Sequence, residues 1–164
     1  MSAARHTVRD MAFALSPSRA SDFMTCPLLY RFRVIDKLPS PPTPATARGT
    51  LVHAVLERLF DLPTDERTLA AAIALVPGEW ARMAADDPEM LRLLSDHEGR
   101  TDEWFTAAGS LLETWFGLED PTRLEPAERE LYVEADVDGL VLRGYVDRLD
   151  VAPDGALRIV DYKT

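Results

Sequence analysis

Two strand-like stretches decide the fold of this chain: LVLRGYVDRLDV at residues 140–151 and LRIVDYKT at residues 157–164. Both are rich in β-branched residues and alternate between apolar and polar positions, which is typical of half-buried strands. The segment APDGA at residues 152–156 separates them and has the composition of a turn. The sequence therefore predicts a hairpin. Because residues two apart in a strand share a face, Asp161 and Lys163 should point the same way.

The pairing of this hairpin brings two acids together. With the turn centred on Asp154, Asp147 faces Asp161. Directly opposed side chains lie about 5 Å apart at Cβ, where like charges destabilise a sheet. A cation between the two acids would remove that cost, and Lys163 beside them could bind an anion. This combination suits phosphodiester hydrolysis. The alternative is a frayed hairpin end on which both acids are hydrated.

A second hairpin is predicted just before the first. The stretch ELYVEADV at residues 130–137 runs into an Asp-Gly pair at 138–139, a strong signal for a two-residue turn. This pairing places Glu130 opposite Asp147, so that Glu130, Asp147 and Asp161 would lie in a row across the meander. A one-residue bulge would displace Glu130. The alternative interpretation of Glu130 is an exposed charge on an edge strand.

The segment RGTLVHAVLERLF at residues 48–60 has the apolar stripe of an amphipathic helix. His53 lies at the border of this stripe, one turn before Glu57. Gly49, one turn earlier, leaves its side of the helix open to a close neighbour. A histidine in such a place is either a core residue or a metal ligand, and the helix alone does not decide between them.

The middle of the chain is predicted to be helical. From residue 65 to 116 the pattern has helical spacing, with predicted breaks at Pro77-Gly78, Pro88 and Gly99. Its aromatic residues, Trp104 and Trp115 among them, fit a core better than a base-stacking surface. We expect a mainly helical part at residues 16–118 and a β-meander at residues 124–164, within one domain over residues 1–164.

Three short motifs follow one another on a helix, a strand and the next strand: Gly49-x-x-x-His53, Gly144-x-x-Asp147 and Asp161-x-Lys163. In this order they resemble the RecB-type branch of the PD-(D/E)XK nucleases. The helix start at Ser16-Pro17-Ser18, followed by Cys26-Pro27, resembles the entry segment of that family. The resemblance implies an α/β, restriction-endonuclease-like fold, with an N-terminal helical part followed by a three-stranded antiparallel meander.

The resemblance also implies a site. Its catalytic residues would be Asp147, Asp161 and Lys163. Its metal ligands would be His53, Asp147, Asp161 and the backbone carbonyl of Tyr162, with Glu130 as a further candidate. Oxygen ligands suit Mg²⁺, and a histidine ligand shifts the preference toward Mn²⁺.

Members of that family continue past this last strand into a further helix and strands. Many carry clustered cysteines that hold an iron–sulfur cluster together with an early Cys-Pro cysteine. We therefore expect the C-terminal part of the core to be missing, and the 164-residue chain to be inactive and poorly soluble or oligomeric by itself. Cys26 would be one cluster ligand of the longer protein. In this chain, with no second cysteine, the expectation is a buried apolar thiol.

Composition sets further bounds. With 164 residues, 46% of them hydrophobic, the chain can form one domain with a core. A single cysteine excludes a disulfide framework, and no signal peptide or long apolar run is seen, so we expect a cytoplasmic protein. The net charge of −10 argues against DNA binding, because phosphate contacts need cations. The residues expected to contact DNA form a basic cluster: Arg31, Arg33, Lys37 and Arg48.

The function expected from these residues is metal-dependent hydrolysis of DNA, exonucleolytic and linked to repair or recombination, with a helicase subunit or domain as a partner. An alternative is a catalytically inactive DNA-binding or scaffolding subunit of a helicase–nuclease complex with the same fold. A third interpretation, an acidic protein-interaction domain, is favoured only by the net charge.

Overall fold

The computed structural model describes residues 14–95 and 101–163. The chain divides into two compact units, which we describe separately. In the described part, the first unit contains residues 14–40 and 131–146, and the second contains residues 41–95, 101–130 and 147–163.

The first unit begins with short helices. Helix α1 runs from Pro17 to Thr25 and α2 from Pro27 to Tyr30, and a π-helical turn follows at Arg31–Ile35. Ser16 caps α1 by accepting a hydrogen bond from the Arg19 amide at 3.3 Å, and proline at the first helical position needs no such partner. The sequence signal for a helix start at Ser16 is therefore confirmed.

The second unit contains the longer helices: α3 (Pro44–Leu59), α4 (Leu69–Asp86), α5 (Pro88–Ser95) and α6 (Thr101–Phe116). Helix α4 continues through Pro77-Gly78, so the predicted break there is wrong. A proline inside a helix removes one hydrogen bond. Here Val76 and Trp80, on either side of it, are buried, and burial of this face outweighs the local cost.

The hydrophobic core lies between α3, α4 and α6. Buried side chains from all three helices form it: Leu51, Val55, Leu56 and Leu59 from α3, Ala72, Val76 and Trp80 from α4, and Trp104, Leu112 and Trp115 from α6. Burying a residue of this size is worth roughly 1.5–3 kcal/mol. The prediction that the tryptophans of α6 are core residues is confirmed. Among the described helices, none is long and apolar enough to cross a membrane.

The sheet has three strands in the order β1 (Glu128–Val137), β2 (Leu140–Val151) and β3 (Leu157–Val160). Strands β2 and β3 pair in the predicted antiparallel register, with Val151 opposite Leu157 and Leu149 opposite Ile159. The Asp-Gly turn at 138–139 is also confirmed, because both residues have positive φ, 53° and 83°. Helices and an antiparallel meander thus form the α/β architecture that the sequence predicts.

Candidate metal centre

Three side chains of the second unit come together at one point: His53 of α3, Glu130 of β1 and Asp147 of β2. One ligand atom from each lies within 4.8 Å of the other two. A divalent cation with ligands about 2.0–2.6 Å away spans ligand atoms up to about 4–5 Å apart. A nitrogen and two carboxylates at this spacing therefore fit one divalent ion. We refer to these residues as the His53–Glu130–Asp147 group.

Helix α3 holds His53 rigidly. The helix begins at a reciprocal cap, in which Thr43 accepts from the Thr46 amide and Thr46 accepts from the Thr43 amide. Its apolar face is buried in the core, including Val52 and Leu56 on either side of the histidine turn. His53 itself is half-buried, and its Nδ1 lies 3.7 Å from Asp147 Oδ2. The helix thus fixes the backbone and leaves the imidazole edge accessible.

Asp147 is held by a backbone hydrogen bond. The amide of Tyr162 donates to Asp147 Oδ2 at 2.5 Å, across the end of the β2–β3 ladder. Only 13% of the Asp147 side chain is exposed. A bond from a backbone donor fixes the direction of the carboxylate. Asp147 is therefore oriented toward His53.

Glu130 reaches the group through an irregular backbone. Its φ is 47°, in the left-handed region that residues other than glycine rarely adopt. The amide of Ala127 donates to the carbonyl of Leu149 at 2.8 Å, whereas an uninterrupted register would put Ala127 opposite Asp150. This one-residue shift is typical of a bulge. Sequence analysis held that a bulge would displace Glu130 from the other acids, but Glu130 lies in the group with this bulge present.

Arg129 anchors the strand beside this irregular residue. Its guanidinium donates to the backbone carbonyl of Glu57 at the end of α3, and to Asp61 Oδ1 at 2.8 Å. The Arg129 guanidinium accordingly holds the pKa of Asp61 below its usual range. Two bonds from one side chain to α3 and the turn after it fix where β1 begins. They determine the position from which Glu130 points back to His53.

Without a bound cation, the acidic side chains of the group repel one another. Burial raises the pKa of Glu130, as do the nearby carboxylates of Asp147 and Glu57, while His53 lowers it. Acids that raise the pKa of one another repel. A bound cation would reverse that repulsion, so the donor chemistry fits a divalent metal.

This repulsion leads to a stability prediction. Because the pKa of Glu130 is raised on folding, the folded state binds its proton more tightly, and stability falls as the pH rises through that range. Without divalent cations at neutral pH, Glu130→Gln should raise the unfolding free energy, by about 0.5 kcal/mol or less given solvent screening. The gain should vanish in acid, where Glu130 is protonated.

Urea unfolding in the presence of a chelator measures this effect. Glu128→Gln is the matched control, because Glu128 is exposed on the same strand and is not part of the group. The control variant should match the wild type at both pH values. A Glu130→Gln variant that is no more stable than Glu128→Gln at neutral pH would contradict the electrostatic interpretation.

Asp161 and Lys163 lie outside the His53–Glu130–Asp147 group. Strand β3 ends at Val160, so the predicted pairing of Asp161 with Asp147 falls just beyond the ladder. Lys163 Nζ lies 2.5 Å from Asp161 Oδ2, and both side chains are exposed, 84% and 60%. Asp161 raises the pKa of Lys163, and Asp147 contributes in the same direction. The lysine is therefore on the side of both acids, and its ammonium is charged.

A cavity of about 680 Å³ opens beside the group. Residues of α3 line most of it, together with Glu130: Ala45, Thr46, Gly49, Thr50, His53, Ala54 and Glu57. The face of α3 before His53 therefore consists of small side chains, which leave room next to the acids. Sequence analysis noted the open side at Gly49 but did not assign Glu57 to the site. The signal available in the sequence was the spacing of four residues between His53 and Glu57, which places both side chains on one face of the helix.

Two other predicted features belong to the first unit. Arg31 is paired with Asp36 at 3.2 Å and Arg33 with Asp22 at 2.7 Å, and both arginines are exposed. Lys37 is in the same unit, while Arg48 is a half-buried residue of α3 in the other. The structure describes no common site for all four. Their contact with DNA remains a prediction.

Cys26 is exposed, so the expectation of a buried thiol is wrong. The residue lies between α1 and α2 with an extended backbone, φ −162° and ψ 115°. At this junction the side chain is not on the apolar face of either helix. An exposed thiol is accessible to a ligand, but one cysteine does not hold a cluster.

Comparison with known proteins identifies the superfamily of the chain. Residues 14–164 match the model of the PD-(D/E)XK nuclease superfamily. Because the match covers most of the chain, the chain belongs to this superfamily. It is also 28% identical, over 181 aligned positions, to the Gene 69 protein of Mycobacterium phage D29. That alignment covers 91% of this chain and 61% of the relative, so the chain spans about 61% of the relative's length. No solved structure matches the chain significantly.

Proposed function

We propose that the natural protein containing these residues hydrolyses DNA phosphodiester bonds with Mg²⁺ or Mn²⁺. The observation that carries the proposal is the convergence of His53, Glu130 and Asp147 in a member of a nuclease superfamily. A nitrogen ligand with carboxylates suits such a cation. The cavity beside the group gives a phosphate group access to these residues.

Each residue has a distinct role in this proposal. His53 and Asp147, with Asp161 and the carbonyl of Tyr162, would hold the metal, and Glu130 would complete the set. When bound, the metal lowers the pKa of water and polarises a phosphoryl oxygen. Lys163 stabilises negative charge that develops on the phosphate. Its compact ammonium can do so from an exposed position at the strand end.

Asp161 must separate from Lys163 for both to act in this way. Exposed ion pairs are worth about 1 kcal/mol or less, so a phosphate or a cation can replace either partner at small cost. The pair in the structure therefore keeps the two residues adjacent without blocking their roles.

The basic residues of the first unit would guide the DNA strand. Residues 14–40 contain Arg19, Arg31, Arg33 and Lys37 against Asp22 and Asp36, a net charge of +2 from four cations minus two acids. The whole chain carries −10. A local positive segment attracts phosphate even in an acidic protein.

The finer assignments also belong to this proposal. They are an exonuclease of the RecB type, a role in DNA repair or recombination, a helicase partner and a cytoplasmic location. They are supported by the motif resemblance of the sequence. An iron–sulfur cluster does not fit the residues present, because the chain has one cysteine. Cys26 would serve as a ligand only with three further ligands from outside these 164 residues.

A second candidate function is an inactive DNA-binding or scaffolding subunit with the same fold. The observation that favours it is the direct pairing of Asp161 with Lys163, outside the His53–Glu130–Asp147 group. If this ion pair were permanent, Asp161 could not bind the metal and Lys163 could not contact the phosphate.

A DNA degradation assay separates the two candidates. The natural protein containing these residues should digest linear DNA in Mg²⁺ or Mn²⁺ and stop in excess chelator. His53→Ala should reduce the rate more in Mn²⁺ than in Mg²⁺, because a nitrogen ligand favours the softer ion. The expected difference is at least about threefold, on the scale of a lost metal contact.

Thr50→Ala is a suitable control for this comparison, since Thr50 is exposed on α3, one turn before His53, and offers no metal ligand. It should leave the ratio of Mn²⁺ to Mg²⁺ rates unchanged. Binding of DNA without digestion in either metal would favour the inactive-subunit function.

A further inference from the structure

We propose that Tyr162 is the positioning residue of the His53–Glu130–Asp147 group, and that a buried arginine cluster fixes it in place. This inference rests on the proposed function, because it assigns the residue that orients the metal ligands. It adds a side-chain role to a residue for which sequence analysis considered only the backbone carbonyl.

Tyr162 contacts two members of the group in different ways. Its backbone amide donates to Asp147 Oδ2 at 2.5 Å. Its ring meets the imidazole of His53 edge to face, with centroids 5.7 Å apart and an angle of 85° between the planes. One residue thus determines the direction of a carboxylate and the tilt of an imidazole.

The backbone at residue 162 has no sheet partner to hold it. The ladder between β2 and β3 ends at the pair Arg148–Val160, so Asp161, Tyr162 and Lys163 lie beyond the paired residues. A chain end without ladder bonds has low local stability. The side chain of Tyr162 therefore supplies the anchoring that the strand does not.

Arg148 provides that anchor. Its side chain is fully buried, and Nη1 lies 3.2 Å from the Tyr162 hydroxyl. The guanidinium is held in turn by both carboxylate oxygens of Glu119, at 2.7 and 2.9 Å, and by Asp150 at 3.0 and 3.2 Å. With two acids on its donors, it cannot move without breaking several charged hydrogen bonds.

Aromatic packing closes the other sides of Tyr162. The ring of Trp115 meets it edge to face at 6.1 Å, and the Arg148 guanidinium carbon lies 5.9 Å from its centroid. This burial raises the pKa of Tyr162 to about 12, so the hydroxyl stays protonated at neutral pH. Tyr162 is thus fixed by its ring and by its hydroxyl.

The position of Tyr162 gives this anchoring a consequence for the chemistry. Tyr162 lies between Asp161 and Lys163, whose side chains are both exposed. Fixing the middle residue fixes the backbone from which the two flanking side chains project. Through Tyr162, the Arg148 cluster therefore fixes the backbone that carries Asp161 and Lys163.

The test uses two substitutions and two readouts that do not depend on catalysis. Tyr162→Leu removes the ring from His53, and Tyr162→Phe removes only the hydroxyl from Arg148. Mn²⁺ affinity is measured by titration calorimetry on the metal-free protein. The shifts of the His53 ring protons are measured by NMR without metal, because they sense the neighbouring aromatic ring.

For Tyr162→Leu we expect the Mn²⁺ dissociation constant to rise by about 10-fold or more, as for other lost supports of metal ligands. The His53 ring protons should move by a few tenths of a ppm or more, on the order expected when an adjacent aromatic ring is removed. Tyr162→Phe keeps the ring but removes the hydroxyl that Arg148 holds, so its dissociation constant should rise by about threefold and its His53 shifts should move less than those of Tyr162→Leu.

Leu112→Ala is the control for a purely structural role. Leu112 is fully buried in the core and is not a member of the group, and its truncation lowers stability by leaving a cavity. It should leave the Mn²⁺ affinity and the His53 shifts unchanged. Equal losses of affinity in Leu112→Ala and Tyr162→Leu would overturn the positioning role.

The outcomes separate this inference from the proposed function. A wild-type chain that binds no Mn²⁺ would overturn the proposed function, and the positioning of metal ligands with it. Wild-type binding with an unchanged affinity in Tyr162→Leu would overturn only the inference. If Tyr162→Leu does not fold, Tyr162→Phe decides: a Mn²⁺ dissociation constant and His53 shifts equal to those of the wild type would overturn the anchoring of Tyr162 by Arg148.

Discussion

Asp161→Asn and Lys163→Ala should each lower the rate of metal-dependent DNA degradation by at least about 100-fold, the scale of a lost transition-state contact. Both side chains are exposed, 60% and 84%, and each has the other as its ion-pair partner. An exposed pair contributes little to folding. We therefore expect the melting temperature to stay within about 2 °C of the wild-type value, the shift that a few tenths of a kcal/mol would produce.

Activity is measured on linear DNA with Mn²⁺ and Mg²⁺, using the natural protein that contains these residues. Asp154→Asn is the matched control, because Asp154 is an exposed aspartate of the neighbouring turn. As asparagine it still accepts the hydrogen bond that the Ala156 amide makes at 3.0 Å. The control should digest DNA normally. If Asp161→Asn and Lys163→Ala do so as well, the nuclease assignment is wrong.

The second large effect concerns stability. Arg148→Met should lower the free energy of unfolding by about 3–5 kcal/mol, because it leaves two partly buried carboxylates with only the half-exposed Arg158 as a cation. These acids are Glu119 and Asp150, 19% and 16% exposed. Although burial lowers it, hydrogen bonds with both acids hold the pKa of Arg148 above its ordinary value, so the guanidinium stays charged. A loss of this size is a large share of the 5–15 kcal/mol typical of a folded domain.

Arg158→Met is a close comparison for this prediction. Arg158 binds the same two acids, with contacts of 3.2 Å to Glu119 and 2.7 Å to Asp150, but its side chain is 52% exposed. Its replacement should cost about 1 kcal/mol or less. Chemical unfolding followed by circular dichroism measures both variants. If both variants lose a similar amount of unfolding free energy, the burial of Arg148 does not make it more important than Arg158, and the prediction is wrong.

Local signals in the sequence predicted the sheet correctly. The Asp-Gly pair at 138–139 and the turn around Asp154 fix hairpin geometry through backbone conformation, which neighbouring residues determine. The register of β2 and β3 followed from pairing residues at equal distances on either side of Asp154. The same pairing led to Asp147. These inferences needed no knowledge of contacts between distant residues. The position of His53 at the border of the helical stripe left open whether it is a core residue or a ligand, and only the family resemblance assigned it to the site.

The features that sequence analysis missed depend on long-range packing. Helix α4 continues through Pro77 because its apolar face is buried, and periodicity around a proline does not report that burial. Sequence analysis did not single out Arg148, yet it is fully buried among residues from separate segments. The exposure of Cys26 was missed for a similar reason, since composition does not show which face a helix junction presents.

At Glu130 the left-handed backbone sets thermal stability against metal binding. A φ of 47° costs a residue with a side chain about 1 kcal/mol, and glycine would avoid that cost. Selection for heat resistance alone would therefore favour glycine at this position, whereas selection for metal binding would keep the glutamate. Consensus substitutions that are introduced into this chain to raise stability should therefore leave position 130 unchanged. Glycine would be the more stable residue at this position, but it has no side chain to bind a cation.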